Sequence, residues 1–189
     1  MIAITEKSRS AVLALTRVLS GLARPPAVAH RMEHGVDTPG TWAMTGERRR
    51  QSYLTPAVET SLAGLGSRVA ELARRARKIG AEPIVVTQRS MFWRRRDGRI
   101  EGVREWAPDR FSPALAGLGA LTGVDRHYLE RLQAEAILAA CRAANGICLD
   151  LAAELAPDPA TDFYDGFHTT PAGADRIARY LHARLGGLR

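Results

Sequence analysis

The stretch SLAGLGSRVAELARRARKIGAEPIVVTQ, residues 61–88, reads as a helix that leads directly into a strand. Gly80 is typical of a residue that ends a helix, and the β-branched run from Ile84 to Thr87 predicts a buried strand. Apolar residues recur on one face of the predicted helix at Leu62, Leu65, Val69, Leu72, Ala76 and Ile79. The stretch therefore predicts one helix-to-strand unit.

The same order returns in YLERLQAEAILAACRAANGICLDLA, residues 128–152. Asn145-Gly146 is expected to end the second helix, and Ile147 to Leu151 form the second predicted strand. The apolar positions on the helix are Leu129, Leu132, Ala136 and Ala140. Two such units in succession predict the α/β class with a parallel sheet.

A third stretch, FYDGFHTTPAGADRIARYLHARL, residues 163–185, places Asp165 and His168 three positions apart ahead of an amphipathic helix. Thr170 is the expected N-cap of this helix, and Pro171 suits its first position. Ala174, Ile177, Leu181 and Leu185 recur at helical spacing. The pair is thus expected on a loop that a helix holds in place.

A carboxylate and an imidazole at this spacing can act together as a general base. The carboxylate of Asp165 would accept the Nδ1 hydrogen of His168, which leaves Nε2 to take a proton from a nucleophile. The alternative is that the tetrad arose by chance and the aspartate only caps local backbone groups. The surrounding pattern favours the chemical interpretation.

The aromatic-flanked D-x-x-H tetrad, the T-x-A-G that follows it and the helix after them resemble the last conserved block of the SGNH, or GDSL-like, hydrolases. The resemblance covers most of residues 56–187 and implies a three-layer α/β/α, flavodoxin-like fold. It also implies a Ser-His-Asp triad with His168 as general base and then general acid, and with Asp165 as the carboxylate that orients it. The implied reaction is hydrolysis of a small-molecule ester or acetylated substrate without metal or cofactor, and sugar, lipid and peptide-linked acyl groups all stay open.

The other blocks of that family are missing, because the sequence has no G-D-S turn, no oxyanion-hole glycine block and no G-x-N-D block. Residues 1–189 are therefore expected to form a single, N-terminally incomplete domain that opens on a helix, Met1 to Leu22. The serine would then lie in preceding sequence, and the chain alone would be inactive. Ser90, just past a strand end, is the best placed substitute among Ser8, Ser10, Ser20, Ser52, Ser61, Ser67, Ser90 and Ser112.

An alternative function is a non-catalytic remnant of such a domain that binds a ligand or partner through the remaining half of the pocket. An incomplete sheet would leave the strand at Ile84 to Thr87 with an apolar edge. Marginal stability and self-association through that edge are then expected.

The charge of the chain suggests a third interpretation, nucleic-acid binding. Lys and Arg total 27 against 20 Asp and Glu, which gives a net charge of +7. The arginine runs are scattered and match no helix-turn-helix, zinc-finger or RNP pattern. The sequence therefore predicts a solvated basic surface with weak, salt-sensitive adhesion and no specific nucleic-acid site.

Two further patterns are interpreted as structural. His30 to His34 read H-x-x-E-H, as in an inverted zincin site, but the segment is short and a polar loop or surface helix is favoured. Cys141 and Cys148 lack C-x-x-C spacing and are expected to be two buried, reduced thiols.

The remaining expectations concern targeting and loops. The apolar run from Ala11 to Leu22 is too short for a membrane span, and no signal peptide is recognised, so the default location is cytoplasmic. Residues 23–55 and 89–125 are predicted to be irregular. Trp93 and Trp106 would either wall a pocket or, as we favour, only pin their loop to the surface.

Overall fold

The computed structural model describes residues 43–106 and 113–187, which form a mixed α/β structure. The expectations for Met1 to Leu22 and for His30 to His34 lie outside these residues. The helices are α1 (Pro56–Lys78), α2 (Pro113–Ala116), α3 (Gly123–Ala143), α4 (Leu151–Glu154) and α5 (Pro171–Leu185). The strands are β1 (Met44–Thr45), β2 (Ile84–Val86), β3 (Trp93–Arg96), β4 (Arg99–Val103) and β5 (Ile147–Leu149).

The two predicted helix-to-strand units are confirmed. Strands β2 and β5 pair in parallel with Val85 opposite Cys148. Gly80 and Asn145 take positive φ values of 80° and 54° where α1 and α3 end. The second strand is shorter than predicted, because Leu151 already belongs to α4.

The predicted apolar face of α1 is wrong at two positions. Leu72 is 67% exposed and Ile79 is 83% exposed, whereas Val58 and Ala73 are buried. Helix α1 packs against α3, and a Cβ on Gly66 would lie 3.7 Å from the carbonyl oxygen of Ala136. The buried face of α1 is therefore decided by its contact with α3 and not by the apolar periodicity of the α1 sequence.

The region predicted to be irregular, residues 89–125, contains a β-hairpin. Strands β3 and β4 are antiparallel, and β4 also pairs with β1. The turn between β3 and β4 is Asp97-Gly98, with φ values of 47° and 75°. Asp-Gly is a strong hairpin signal because such turns need two positive φ angles, so the sequence did carry this information.

The tryptophans of this region lie in the core and line neither of the cavities described below. Trp93 is fully buried, and its Nε1 donates a 2.7 Å hydrogen bond to Glu130. Trp106 is 8% exposed and belongs to the main apolar cluster. That cluster comprises Tyr53, Val58, Val103, Trp106, Leu115, Leu118, Leu121 and Leu129.

The prediction of two reduced thiols is wrong, because Cys141 and Cys148 form a disulfide. Their Cα atoms are 5.9 Å apart. The left-handed turn at Asn145 reverses the chain, so β5 returns beside the last turn of α3. The sequence predicted this turn, but a spacing of seven residues does not reveal that the two side chains face each other across it.

Within residues 43–106 and 113–187, no helix combines the length and apolar character that crossing a membrane requires.

Candidate active site

The D-x-x-H tetrad lies on a short closed loop between α4 and α5. Phe163 and Thr169 form an antiparallel bridge at the base of the loop. The amide of Tyr164 donates to the His168 carbonyl at 3.1 Å, and the amide of Thr170 donates to the Asp162 carbonyl at 2.9 Å. These bonds fix the backbone on both sides of the tetrad.

Asp165 and His168 face each other within this loop. Oδ2 of Asp165 lies 2.6 Å from Nδ1 of His168. Oδ1 of Asp165 accepts the amide hydrogens of Phe167 at 3.0 Å and of His168 at 2.7 Å. One carboxylate therefore shapes the turn with one oxygen and orients the imidazole with the other. The predicted contact is present, and the catalytic role of the pair stays a prediction.

The environment keeps the Asp165 carboxylate charged. Burial alone would raise its pKa, but the hydrogen bonds from the His168 ring and from the amides of Phe167 and His168 hold the pKa below its usual range. The Asp165 side chain is 16% exposed and the His168 side chain 43% exposed. The site thus combines a fixed anion with an imidazole that is partly exposed to solvent.

Two aromatic rings flank the imidazole. The Tyr164 ring stacks on it with centroids 5.7 Å apart and an interplanar angle of 11°. The Phe167 ring lies 4.4 Å away and is tilted by 46°. Together with the bond to Asp165, these contacts define the orientation of the His168 ring.

A buried ion pair holds the loop against α5. Asp162 is fully buried, and Nη1 of Arg176 lies 2.6 Å from both of its carboxylate oxygens. The side chain of Thr170 caps α5 by accepting from the Gly173 amide at 3.1 Å, as predicted. A Cβ on Gly173 would lie 2.1 Å from the Asp162 carbonyl oxygen. Glycine is therefore required where α5 meets the loop.

The segment that leaves β2 contacts the same loop. The amide of Met91 donates to the Gly166 carbonyl at 3.0 Å. Gly166 lies flat against the Phe92 ring, since a Cβ there would come within 2.9 Å of it. The pair is thus held close to the carboxyl end of a parallel strand, where ligands commonly bind in α/β proteins.

Two cavities of about 370 Å³ each lie beside this segment. Both are lined by Thr87, Gln88, Arg89 and Phe167. The first also contacts α3, and the second reaches Ile177 on α5. Their size suits a small organic ligand.

Ser90 does not complete a triad with His168 in this structure. It is 2% exposed, and its Oγ has no hydrogen-bond partner within residues 43–106 and 113–187. Ser67 donates to the Ala63 carbonyl within α1. Ser8, Ser10, Ser20 and Ser112 lie outside the described residues.

Sequence reasoning missed three charged residues around the loop. Arg89 is 3% exposed and lies 3.2 Å from Asp162, which also binds Arg176. Burial lowers the pKa of Arg89, although a guanidinium stays charged at neutral pH. An arginine shortly after an apolar strand was the available signal. Arg89 and Asp162 are 73 residues apart and Asp162 and Arg176 are 14 apart, so pattern alone could not pair them.

Among residues 43–106 and 113–187, no three His, Cys, Asp or Glu side chains come together in a way that could hold a metal ion.

Comparison with known proteins gave no match. No protein-family model, no curated protein and no solved structure matches the chain. A functional proposal must therefore depend on the geometry of the described residues.

Proposed function

We propose that His168 is the general base, and then the general acid, of a Ser-His-Asp triad in an SGNH-type ester hydrolase, and that Asp165 is the carboxylate that orients it. The observation that carries the proposal is the 2.6 Å contact between Oδ2 of Asp165 and Nδ1 of His168. It selects the tautomer with hydrogen on Nδ1, which makes Nε2 the basic nitrogen. The substrate class is a small-molecule ester or an acetylated molecule.

The proposed chemistry passes one proton through His168. Nε2 removes the proton from the attacking hydroxyl, and the Asp165 carboxylate stabilises the imidazolium that results. The imidazolium then protonates the leaving alcohol. In the second half of the reaction the same nitrogen activates the water that releases the acid. The nucleophilic serine is not assigned to a described residue.

The proposal includes a three-layer α/β/α arrangement of the flavodoxin-like kind. Its support is the parallel pairing of β2 with β5 and the packing of α3 against both strands. Ile84 and Val86 on β2 are 47% and 36% exposed. Strands of parallel sheets are normally covered on both faces, so these residues mark where a further layer or strand would pack.

An alternative function is a ligand-binding module without catalysis. The cavities at the end of β2 and the buried Arg89 favour it, because neither requires a nucleophile. In this alternative the contact between Asp165 and His168 only stabilises the loop.

Hydrolysis of p-nitrophenyl acetate tests the base role of His168 separately from the unassigned serine, because an oriented imidazole accelerates hydrolysis of this activated ester even when water is the nucleophile. We expect His168→Ala to lose most of the rate. His182→Ala on α5 is the matched control, since it removes an exposed histidine of the same chain. Equal rates for the two variants would contradict the proposal.

Labelling with a fluorophosphonate then asks whether the chain itself carries the nucleophile. Labelling of one serine that disappears in His168→Ala would identify it. Hydrolysis that depends on His168 without any labelling would show that the pair works as a base and that no serine of the chain is activated by it.

A further inference from the structure

Arg89 is a buried cation whose hydrogen bonds are confined to one of its nitrogens. Its side chain is 1% exposed. Nη1 donates to the carbonyls of Leu155 at 2.9 Å and Ala156 at 3.2 Å, and it lies 3.2 Å from Oδ2 of Asp162. Nε and Nη2 are buried and have no hydrogen-bond partner among the described residues. The protein thus satisfies one end of the guanidinium and leaves the other unsatisfied.

The unsatisfied end is the one that recognises carboxylates. Nε and Nη2 form a planar fork whose hydrogens point the same way and match the two oxygens of a carboxylate. Buried donors without partners are costly and rare in native proteins. Such a fork is therefore explained best by a ligand that supplies two acceptor oxygens.

The surrounding charges fit a monoanion. Asp162 is the carboxylate nearest to Arg89, and it already accepts from Arg176 at 2.6 Å and from the Asp158 amide at 3.0 Å. Arg89, Arg176 and Asp162 together carry a charge of +1. Arg126 and Glu130 on the cavity wall neutralise each other at 2.7 Å. One carboxylate would make the buried cluster neutral, whereas a phosphate dianion would leave it negative.

The two cavities at the end of β2 are the open space next to Arg89. Arg89 lines both of them, together with Thr87, Gln88 and Phe167. Since the guanidinium itself is covered, a lining side chain has to move before an anion reaches it. Phe163 lies over the guanidinium, with its ring centroid 5.7 Å from Cζ of Arg89, and Phe167, which is 52% exposed, lines both cavities.

We infer that Arg89 is the binding residue for a carboxylate group of a small organic ligand. The identification of this ligand as a substrate rests on the proposed hydrolase function. If that function holds, the substrate is an ester that also carries a carboxylate group. Phe167 contacts both His168 and the cavities, which places such a ligand next to the candidate base. The carboxylate site itself does not require hydrolysis.

The test is a binding measurement that involves no turnover. Sodium acetate is titrated into the protein while the assigned Arg89 Nε–H resonance is followed by NMR, with sodium chloride at equal ionic strength as the control. We expect a saturable shift with acetate and none with chloride. Inorganic phosphate is expected to bind more weakly than acetate. A resonance that does not respond to acetate, or a preference for phosphate, would overturn the inference.

A second, independent measurement compares acetate binding to variants by saturation-transfer NMR. Arg89→Lys keeps the charge but removes the fork, and we expect at least about tenfold weaker binding. Arg126→Gln removes a neighbouring arginine that is already paired, and binding should persist. His168→Ala should also bind acetate, which separates failure of this inference from failure of the hydrolase proposal. If Arg89→Lys does not fold, the wild-type resonance decides the question.

Discussion

Nη1 of Arg176 lies 2.6 Å from both carboxylate oxygens of Asp162, which is completely buried. This ion pair joins the first turns of α5 to the loop that carries Asp165 and His168. The position of the candidate base therefore depends on a contact between residues 14 positions apart and not only on the local turn.

Replacement of Arg176 tests how much that ion pair contributes to the stability of the folded protein. Arg176→Met leaves the buried Asp162 charge with weaker partners, so we expect the free energy of unfolding to fall by roughly 2 to 3 kcal/mol. Arg179→Met is the matched control, because its partner Asp175 is exposed and such pairs contribute less than about 1 kcal/mol. Urea denaturation of both variants measures the difference, and equal losses would show that the buried pair is not special.

Asp165→Asn tests the orientation of His168. The amide oxygen can still accept the backbone hydrogens, but the negative charge that stabilises an imidazolium is gone. We expect the rate of p-nitrophenyl acetate hydrolysis that depends on His168 to fall at least about tenfold. Asp175→Asn, on the exposed side of α5, should keep the rate. A rate unaffected by Asp165→Asn would remove the carboxylate from the mechanism.

Gly173→Ala tests the close approach of α5 to the loop. The added methyl would lie 2.1 Å from the Asp162 carbonyl oxygen, which forces backbone movement. We expect a loss of about 2 kcal/mol or more in the free energy of unfolding. Gly117→Ala meets no atom within 4 Å and should change stability little. Thermal denaturation of the two variants is the measurement, and similar melting temperatures would contradict the packing described for α5.

His127 should make stability depend on pH in mild acid. Burial first, and then the charges of Arg131 and Arg95, lower its pKa from 6.5 to about 4. Between these two pH values the imidazole of His127 is protonated in the unfolded chain but not in the folded chain. The contribution of His127 to the free energy of unfolding is therefore complete above pH 6.5 and is lost as the pH falls toward about 4. The loss is roughly 3 kcal/mol, since one pKa unit corresponds to about 1.4 kcal/mol.

Comparison with His127→Phe isolates this contribution. Phenylalanine keeps a ring against Trp93, whose centroid lies 4.4 Å from that of His127, and it does not titrate. Denaturant unfolding between pH 4 and 7 should show the stability gap between the two proteins changing with pH. A constant gap would mean that His127 titrates normally.

The outer edge of β2 is the expected site of self-association. In the described part of the chain no strand pairs with that edge, and Ile84 is 47% exposed there. Ile84→Lys should lower the association measured by sedimentation, because a charge on an edge strand opposes pairing with a second chain. Leu72→Lys is the control, since Leu72 is 67% exposed but lies on α1. Equal effects of the two substitutions, or a wild-type protein that never associates, would contradict this prediction.

Local features of the site followed from the sequence because they involve neighbours along the chain. Asp165 and His168 are three residues apart, and Thr170 caps the helix that starts at the next residue, so short-range geometry is sufficient to bring these groups together. The Asp97-Gly98 hairpin was equally local and could have been predicted. It was missed because the flanking arginines hide the alternation of a strand.

The sequence by itself determined the two helix-to-strand units, the loop with its oriented imidazole and the capped helix α5, since each is fixed by contacts over a few residues. Only the tertiary structure decided the Cys141 to Cys148 disulfide, the face of α1 that is buried, and the cluster of Arg89, Asp162 and Arg176. A charged side chain is placed in the interior only when partners from other segments compensate its burial. The fold brings those partners together, and the spacing of residues along the chain does not predict them.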